Sequence, residues 1–206
     1  KMAQDPAEVL EFLRRLARLC RPAAQKEFAE LEAFAGTKLE AWDVAFHSER
    51  LKRARLAVSE EELRPYFPLP RVLQGLFAVA QQLYGVRIEE RKDIEVYHPD
   101  VQFFDILGTD GQPRGGFFLD LYARPRKRGG AWMDECLGRI DLAGTRALPI
   151  AYLVCNFTPP GGDKPSLLTH YEVVTMFHEF GHGLHHMLTR VDFPSVAGIN
   201  GVPWDA

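Results

Sequence analysis

The chain has 206 residues, 46% hydrophobic and 26% charged, with 25 basic against 28 acidic side chains and a formal net charge of -3. That is enough chain to bury a core in one domain or slightly more, and the charge balance excludes a generally basic nucleic-acid binder. No apolar run reaches the ~18 residues of a membrane span, and the opening Lys1-Met2-Ala3-Gln4-Asp5-Pro6, followed by a segment rich in Arg and Glu, does not read as a secretory signal. Cys20, Cys136 and Cys155, odd in number and far apart, read as buried or idle thiols in a reducing compartment, which points to the cytoplasm. The two ends have no tail character, and the chain is expected to be an internal piece of a longer protein.

The first half reads as helices. Asp5 followed by Pro6 is an N-cap with proline at the first helical position. Val9, Phe12, Leu13, Leu16 and Leu19 then recur at three- and four-residue spacing until Pro22 interrupts. A second helix carries Phe28, Leu31 and Phe34 and stops at Gly36, a residue suited to a left-handed cap. Ser59 with Glu62 makes a short capping box. Pro65, Pro68 and Pro70 break the next stretch, and a further helix carries Leu73, Leu76, Val79 and Leu83 up to Gly85.

The period changes in the middle. Strands are expected to begin at Ile94-Glu95-Val96-Tyr97, to continue through Phe104 and Ile106, and to turn at Thr109-Asp110-Gly111. Phe117, Leu119 and Leu121 alternate with Phe118, Asp120 and Tyr122, and Ala147 to Phe157 is a further strand. The tight Asp-Gly connection predicts an antiparallel sheet. The run Arg124-Pro125-Arg126-Lys127-Arg128-Gly129-Gly130 reads first as a solvated turn and second as a patch for an acidic substrate group. After the loop Thr158-Pro159-Pro160-Gly161-Gly162, one long helix is predicted from about Ser166 to about Arg190, its apolar stripe formed by Val173, Phe177, Phe180, Leu184 and Met187. The fold class is α+β, mainly helical, with a small antiparallel sheet packed near this helix. Residues 1–90 form a helical segment and residues 91–206 the sheet and the long helix.

That helix contains His178-Glu179-Phe180-Gly181-His182, the pattern H-E-x-x-H. At ~100° per residue the two histidines lie about 40° apart, one turn from each other, so their imidazoles can converge on one ion. Zinc suits such nitrogen ligands. Glu179, about 100° from His178, flanks the ligand face and can accept a proton from a water there. His185 returns to nearly the same face, but about 10 Å along the axis, too far to share the ion. His185 and His186 therefore read as surface or supporting residues. A catalytic zinc takes three protein ligands, and the downstream carboxylates are Asp192 and Asp205, of which Asp205 could lie on a returning segment. Gly181 and Gly183 allow either close packing of a neighbour or room for a substrate backbone.

The stretch from His178 to Thr189, with Gly198-Ile199-Asn200-Gly201-Val202-Pro203-Trp204-Asp205-Ala206, resembles the thimet-oligopeptidase family of zinc metallopeptidases. Arg64-Pro65-Tyr66-Phe67-Pro68, Tyr97-His98-Pro99-Asp100-Val101, Phe118 to Arg124 and Lys127 to Asp134 are similar to the same family, so the resemblance covers nearly the whole chain. Tyr171 departs from it, since the family usually has Asp there. The resemblance implies a mostly helical peptidase larger than this chain, acting on short peptides, with zinc as cofactor. It implies His178 and His182 as ligands, Glu179 as general base, and a third ligand, a Glu, just beyond Ala206. The remaining partners would be the rest of the peptidase chain, with no nucleic acid and no membrane. On this reading the 206 residues alone are inactive, and the substrate backbone pairs with an exposed edge of the strand at Ala147–Phe157. The alternative is a non-catalytic, histidine-rich helical binding module. A structural zinc site, which needs four protein ligands, is poorly served by these cysteines.

Overall fold

The computed structural model describes residues 3, 5–57, 59–142 and 144–202. Backbone contacts divide the chain into two compact units, Lys1–Ser59 and Glu60–Ala206, which places the helix ahead of Gly85 in the same unit as the sheet.

The first unit is a helical hairpin of α1 (Pro6–Ala35) and α2 (Val44–Leu56). Asp5 caps α1 by accepting the Ala7 amide at 2.7 Å, and Gly36 closes it at φ 73°. The break expected at Pro22 does not occur, and α1 runs through it as one 30-residue helix. A proline inside a helix removes one amide donor and costs about 3 kcal/mol. The turns after Pro22 gain support from α2, where Leu31 is buried and Arg55 pairs with Glu30 at 3.0 Å. The stripe ahead of Pro22, from Val9 to Leu19, stays exposed.

The second unit opens with α3 (Glu60–Leu63) and α4 (Leu69–Tyr84), the latter closed by Gly85 at φ 67° as its sequence predicts. Among the described residues seven strands come next: β1 (Arg87–Arg91), β2 (Gln102–Leu107), β3 (Pro113–Tyr122), β4 (Trp132–Leu137), β5 (Ile140–Leu142), β6 (Thr145–Ala147) and β7 (Ile150–Phe157). Five of them form a sheet in the order β1-β2-β3-β7-β4, while β5 and β6 pair as a separate ribbon. The α+β class holds, but the sheet is mixed rather than antiparallel, because β7 runs parallel to β3. The Asp-Gly turn does join β2 and β3 as an antiparallel pair. The chain then leaves β3, forms the far edge strand β4, and returns to fill the slot between them. The strand expected at Ile94–Tyr97 is instead irregular, and the first strand lies earlier, at β1. Its sequence, Arg-Ile-Glu-Glu-Arg, hides it: an edge strand with one half-buried face keeps its charges in water.

Alternation along the strands separates two faces. Phe104, Ile106, Phe117, Leu119, Leu121, Ala151, Leu153 and Cys155 pack with α4 and with α5 (His170–Met187) into one core. Within it Phe117 meets Phe180 edge-on at 5.6 Å and Phe77 meets Phe104 at 5.3 Å. The long helix starts later than expected, at His170. Leu168 and Leu69 exchange backbone bonds with Phe67 and Ser166 at 2.9 Å, which keeps residues 166–168 extended. Thr169 and Glu172 then close a reciprocal capping box.

The opposite face carries Phe103, Phe118 and Tyr152 side by side and a buried ionic cluster. Asp120, 2% exposed, accepts from Arg124 at 2.6 Å and 2.8 Å, from Lys127 at 2.8 Å and from the Tyr97 hydroxyl at 3.1 Å. Burial alone would raise the Asp120 carboxyl, but the hydrogen bonds from Arg124 and Lys127 outweigh it and hold it below its ordinary value. Its contribution to stability is therefore fully present above the unfolded carboxyl range, about pH 4, and is lost as the pH falls through the lower folded value. Asp120→Asn strands the buried Lys127 ammonium and is expected to destabilise the unit by about 3–5 kcal/mol. Denaturant unfolding at neutral pH measures this, and a change below about 1 kcal/mol would show that the cluster contributes little.

Candidate metal centre and substrate edge

α5 is amphipathic in an unusual way, since its buried side holds two ionisable residues besides its apolar ones. Met176, Phe180, Leu184 and Met187 are buried, and so are Glu179 and His186. Phe177, expected on the stripe, is exposed, and Met176 takes its place in the core. His178 is exposed and His182 half-buried, one turn apart on the rim of the helix. Their Nε2 atoms are 3.0 Å from each other, and the rings stand edge to face with centroids 4.6 Å apart. Two imidazole nitrogens each ~2.0–2.1 Å from one ion are separated by about 2.9–3.4 Å for bond angles between roughly 90° and 110°. The observed spacing lies in that interval, so the pair fits a shared ion without a change of helix geometry.

Glu179 is 9% exposed and lines a small cavity with Cys155, Met176 and Phe180. Burial, with the Glu179 carboxylate nearby, pushes the Cys155 thiol up to about 12, so Cys155 is an inert core residue. Among the described residues no three His, Cys, Asp or Glu side chains converge on one point. Asp192 accepts from Arg139 at 2.6 Å and does not join the two histidines. Asp205 and the Pro203-Trp204-Asp205-Ala206 segment lie outside the described residues.

The two glycines of α5 separate cleanly. A Cβ on Gly183 would stand 2.9 Å from Leu153 Cδ2, so Gly183 lets β7 pack closely, whereas a Cβ on Gly181 would point into open space. His185 is exposed, as a surface residue should be. His186, by contrast, is fully buried. Its Nε2 lies 3.1 Å from the Leu137 carbonyl and its Nδ1 3.7 Å from a Glu135 oxygen. Gly198, at φ 52°, presses against the same ring, with space for no Cβ. His186 thus ties α5 to the end of β4 and to the segment that comes after the helix. No sequence signal marks this role, since His185 and His186 are adjacent and differ only in the face they present.

The strand expected to offer an edge, Ala147–Phe157, does not. Its principal part, β7, is bonded on both sides, to β3 and to β4. The edge beside α5 belongs to β4, which no sequence pattern singles out. Met187 packs near Gly115 of β3, which lies against Pro149 just ahead of β7, and Gly183 packs near Leu153, so α5 and β7 run in opposite senses. β4 is antiparallel to β7 and therefore runs with α5. Leu137 lies beside His186, and Met133 pairs with Leu153, the residue against which Gly183 packs, so β4 runs along the second half of α5.

The sequence profile of peptidase family M3 matches residues 1–206. Oligopeptidase A of Escherichia coli (strain K12) is 52% identical over 212 residues, covering 100% of this chain and 31% of its own length. Oligopeptidase A of Haemophilus influenzae is 53% identical over 212 residues, with the same 100% and 31% coverage. Dipeptidyl carboxypeptidase of Escherichia coli is 38% identical over 206 residues, covering 97% of this chain and 30% of its own length. The chain therefore spans about a third of the length of these relatives.

Proposed function

Because the chain belongs to peptidase family M3, we propose that it carries most of the zinc site of a cytoplasmic metalloendopeptidase that hydrolyses short peptides. The observation that carries this reading is the 3.0 Å approach of the His178 and His182 Nε2 atoms on the rim of α5, with Glu179 between them in sequence. His178 and His182 would hold the ion, and a Glu expected beyond Ala206 would complete the set. A zinc ion so held supplies a Lewis acid that makes water acidic near neutral pH and polarises the scissile carbonyl.

The chain's own residues do the rest. Glu179 accepts the proton of the attacking water and returns it to the leaving amine. Its burial among apolar side chains keeps the carboxylate from wandering into solvent. The free edge of β4 pairs with the substrate backbone and holds it extended alongside His178 and His182. Open space at Gly181 leaves room for that backbone.

The test uses the full-length protein. It is expected to hold one equivalent of zinc, to cleave a fluorogenic peptide of about ten residues, to lose cleavage on chelation and to regain it when zinc is returned. Cleavage that survives complete zinc removal would reject the reading.

A further inference from the structure

After α5 the chain turns back on itself. It forms two short 3₁₀ turns, Pro194–Val196 and Gly198–Gly201, and at Gly198 it lies against His186 again. His186 is one helical turn, about 6 Å, along α5 from His182. Little apolar burial holds the returning segment there. Val191, Phe193 and Val196 are exposed, and of residues 189–202 only Ala197 and Gly198 are buried. Polar contacts and close backbone packing take over that task. Arg139 donates to Asp192 at 2.6 Å, and the Gly198 amide donates to Thr189 Oγ1 at 3.3 Å. Pro194 packs so tightly on Gly138 that a Cβ there would stand 2.8 Å from its own Cβ. Asn200 makes the contact furthest along the segment. Its side-chain amide donates to Glu135 Oε2 of β4 at 2.9 Å and to the Pro194 carbonyl at 3.1 Å. The same Glu135 oxygen lies 3.7 Å from His186 Nδ1, a buried nitrogen without a hydrogen-bond partner among the described residues. Glu135 is therefore the point at which β4, α5 and the returning segment meet.

We propose that Glu135 and Asn200 are positioning residues for the zinc site: their hydrogen bond pins the returning segment to β4 and so fixes how the chain beyond it presents the third ligand. This rests on the peptidase reading and names what sets its ligand geometry. His178 and His182 need no such help, because one rigid helix holds their nitrogens 3.0 Å apart. A ligand from outside α5 has no such guarantee. Carried on a loose segment, it would have to be ordered when the ion binds, and the lost freedom would weaken binding. The pin removes that cost in advance, by holding the segment within a turn of His182 before any ion arrives. Neither residue is itself a ligand in this reading. The Glu135 side chain is 29% exposed and Asn200 is exposed, so replacing either leaves no void in the core.

The experiment measures the zinc dissociation constant of the full-length protein by competition with a chelator, together with the unfolding midpoint of the metal-free form. N200A and E135A are each expected to weaken zinc binding about tenfold, the lower end of the loss that follows removal of a group that orients a ligand. E135Q, whose side-chain carbonyl still accepts from Asn200, should stay within about twofold of the wild type. The double variant E135A/N200A should lose no more than either single one, because both remove the same bond. A loss in E135Q equal to that in E135A would assign the effect to the carboxylate charge and overturn the pin. Additive losses in the double variant would overturn it as well. Lowered midpoints in N200A and E135A with wild-type zinc affinity would reduce the contact to a purely structural one and overturn the positioning role. A wild-type protein that takes up no zinc would instead remove the peptidase reading on which the proposal stands.

Discussion

Glu179→Gln in the full-length enzyme is expected to lower kcat for peptide cleavage by about 10²–10⁴-fold, the range lost with a positioned proton-transfer group. The substitution keeps the volume of a side chain that is 9% exposed and packed against Cys155, Met176 and Phe180, so the core has no reason to reorganise. It keeps hydrogen-bonding capacity but removes the ability to take a proton from water. Zinc content should be unchanged, since the proposed ligands from this helix are the two histidines and not Glu179. KM should move little compared with kcat, because the lost interaction is with the attacking water rather than with the peptide backbone. Near-normal turnover in a folded, zinc-replete Glu179→Gln enzyme would remove Glu179 from the reaction and require another base.

The sequence carried the close approach of His178 and His182 well, because it needs only helix geometry. Residues one turn apart meet wherever α5 happens to lie. It carried the Gly36 and Gly85 helix ends and the β2–β3 hairpin for the same reason, each being decided by a few neighbouring residues. It failed where the decision is made by distant partners. The parallel pairing of β3 with β7 depends on a chain reversal through β4, which no local pattern announces. β4 itself, Trp-Met-Asp-Glu-Cys-Leu, alternates too weakly to stand out, yet it supplies the edge beside the histidines. The mixture of inward and outward charges in the basic run is likewise invisible until Asp120 is placed under it. Proline at 22 shows the reverse case, a strong local signal overridden by the helix around it.

The four histidines of α5 from His178 onward provide a stringent check on the geometry, because single alanine substitutions should give three separate outcomes. His178→Ala or His182→Ala removes one of the two nitrogens that lie 3.0 Å apart. Loss of a partner that merely orients a ligand already weakens metal binding by about 10–100-fold, and loss of the ligand itself should exceed that. Each variant is expected to be purified with far less than one equivalent of zinc and with cleavage near background, while its unfolding midpoint without metal stays close to that of the metal-free parent. His185→Ala changes an exposed residue outside the close pair and should alter neither quantity. His186→Ala differs again. It opens a void in a site with no exposure and leaves the Leu137 carbonyl without its partner, so about 2–4 kcal/mol of stability should be lost. The decisive comparison is zinc stoichiometry against unfolding free energy across the four variants. Equal zinc retention in His182→Ala and His185→Ala would mean that the close pair on the rim of α5 is not where the ion sits.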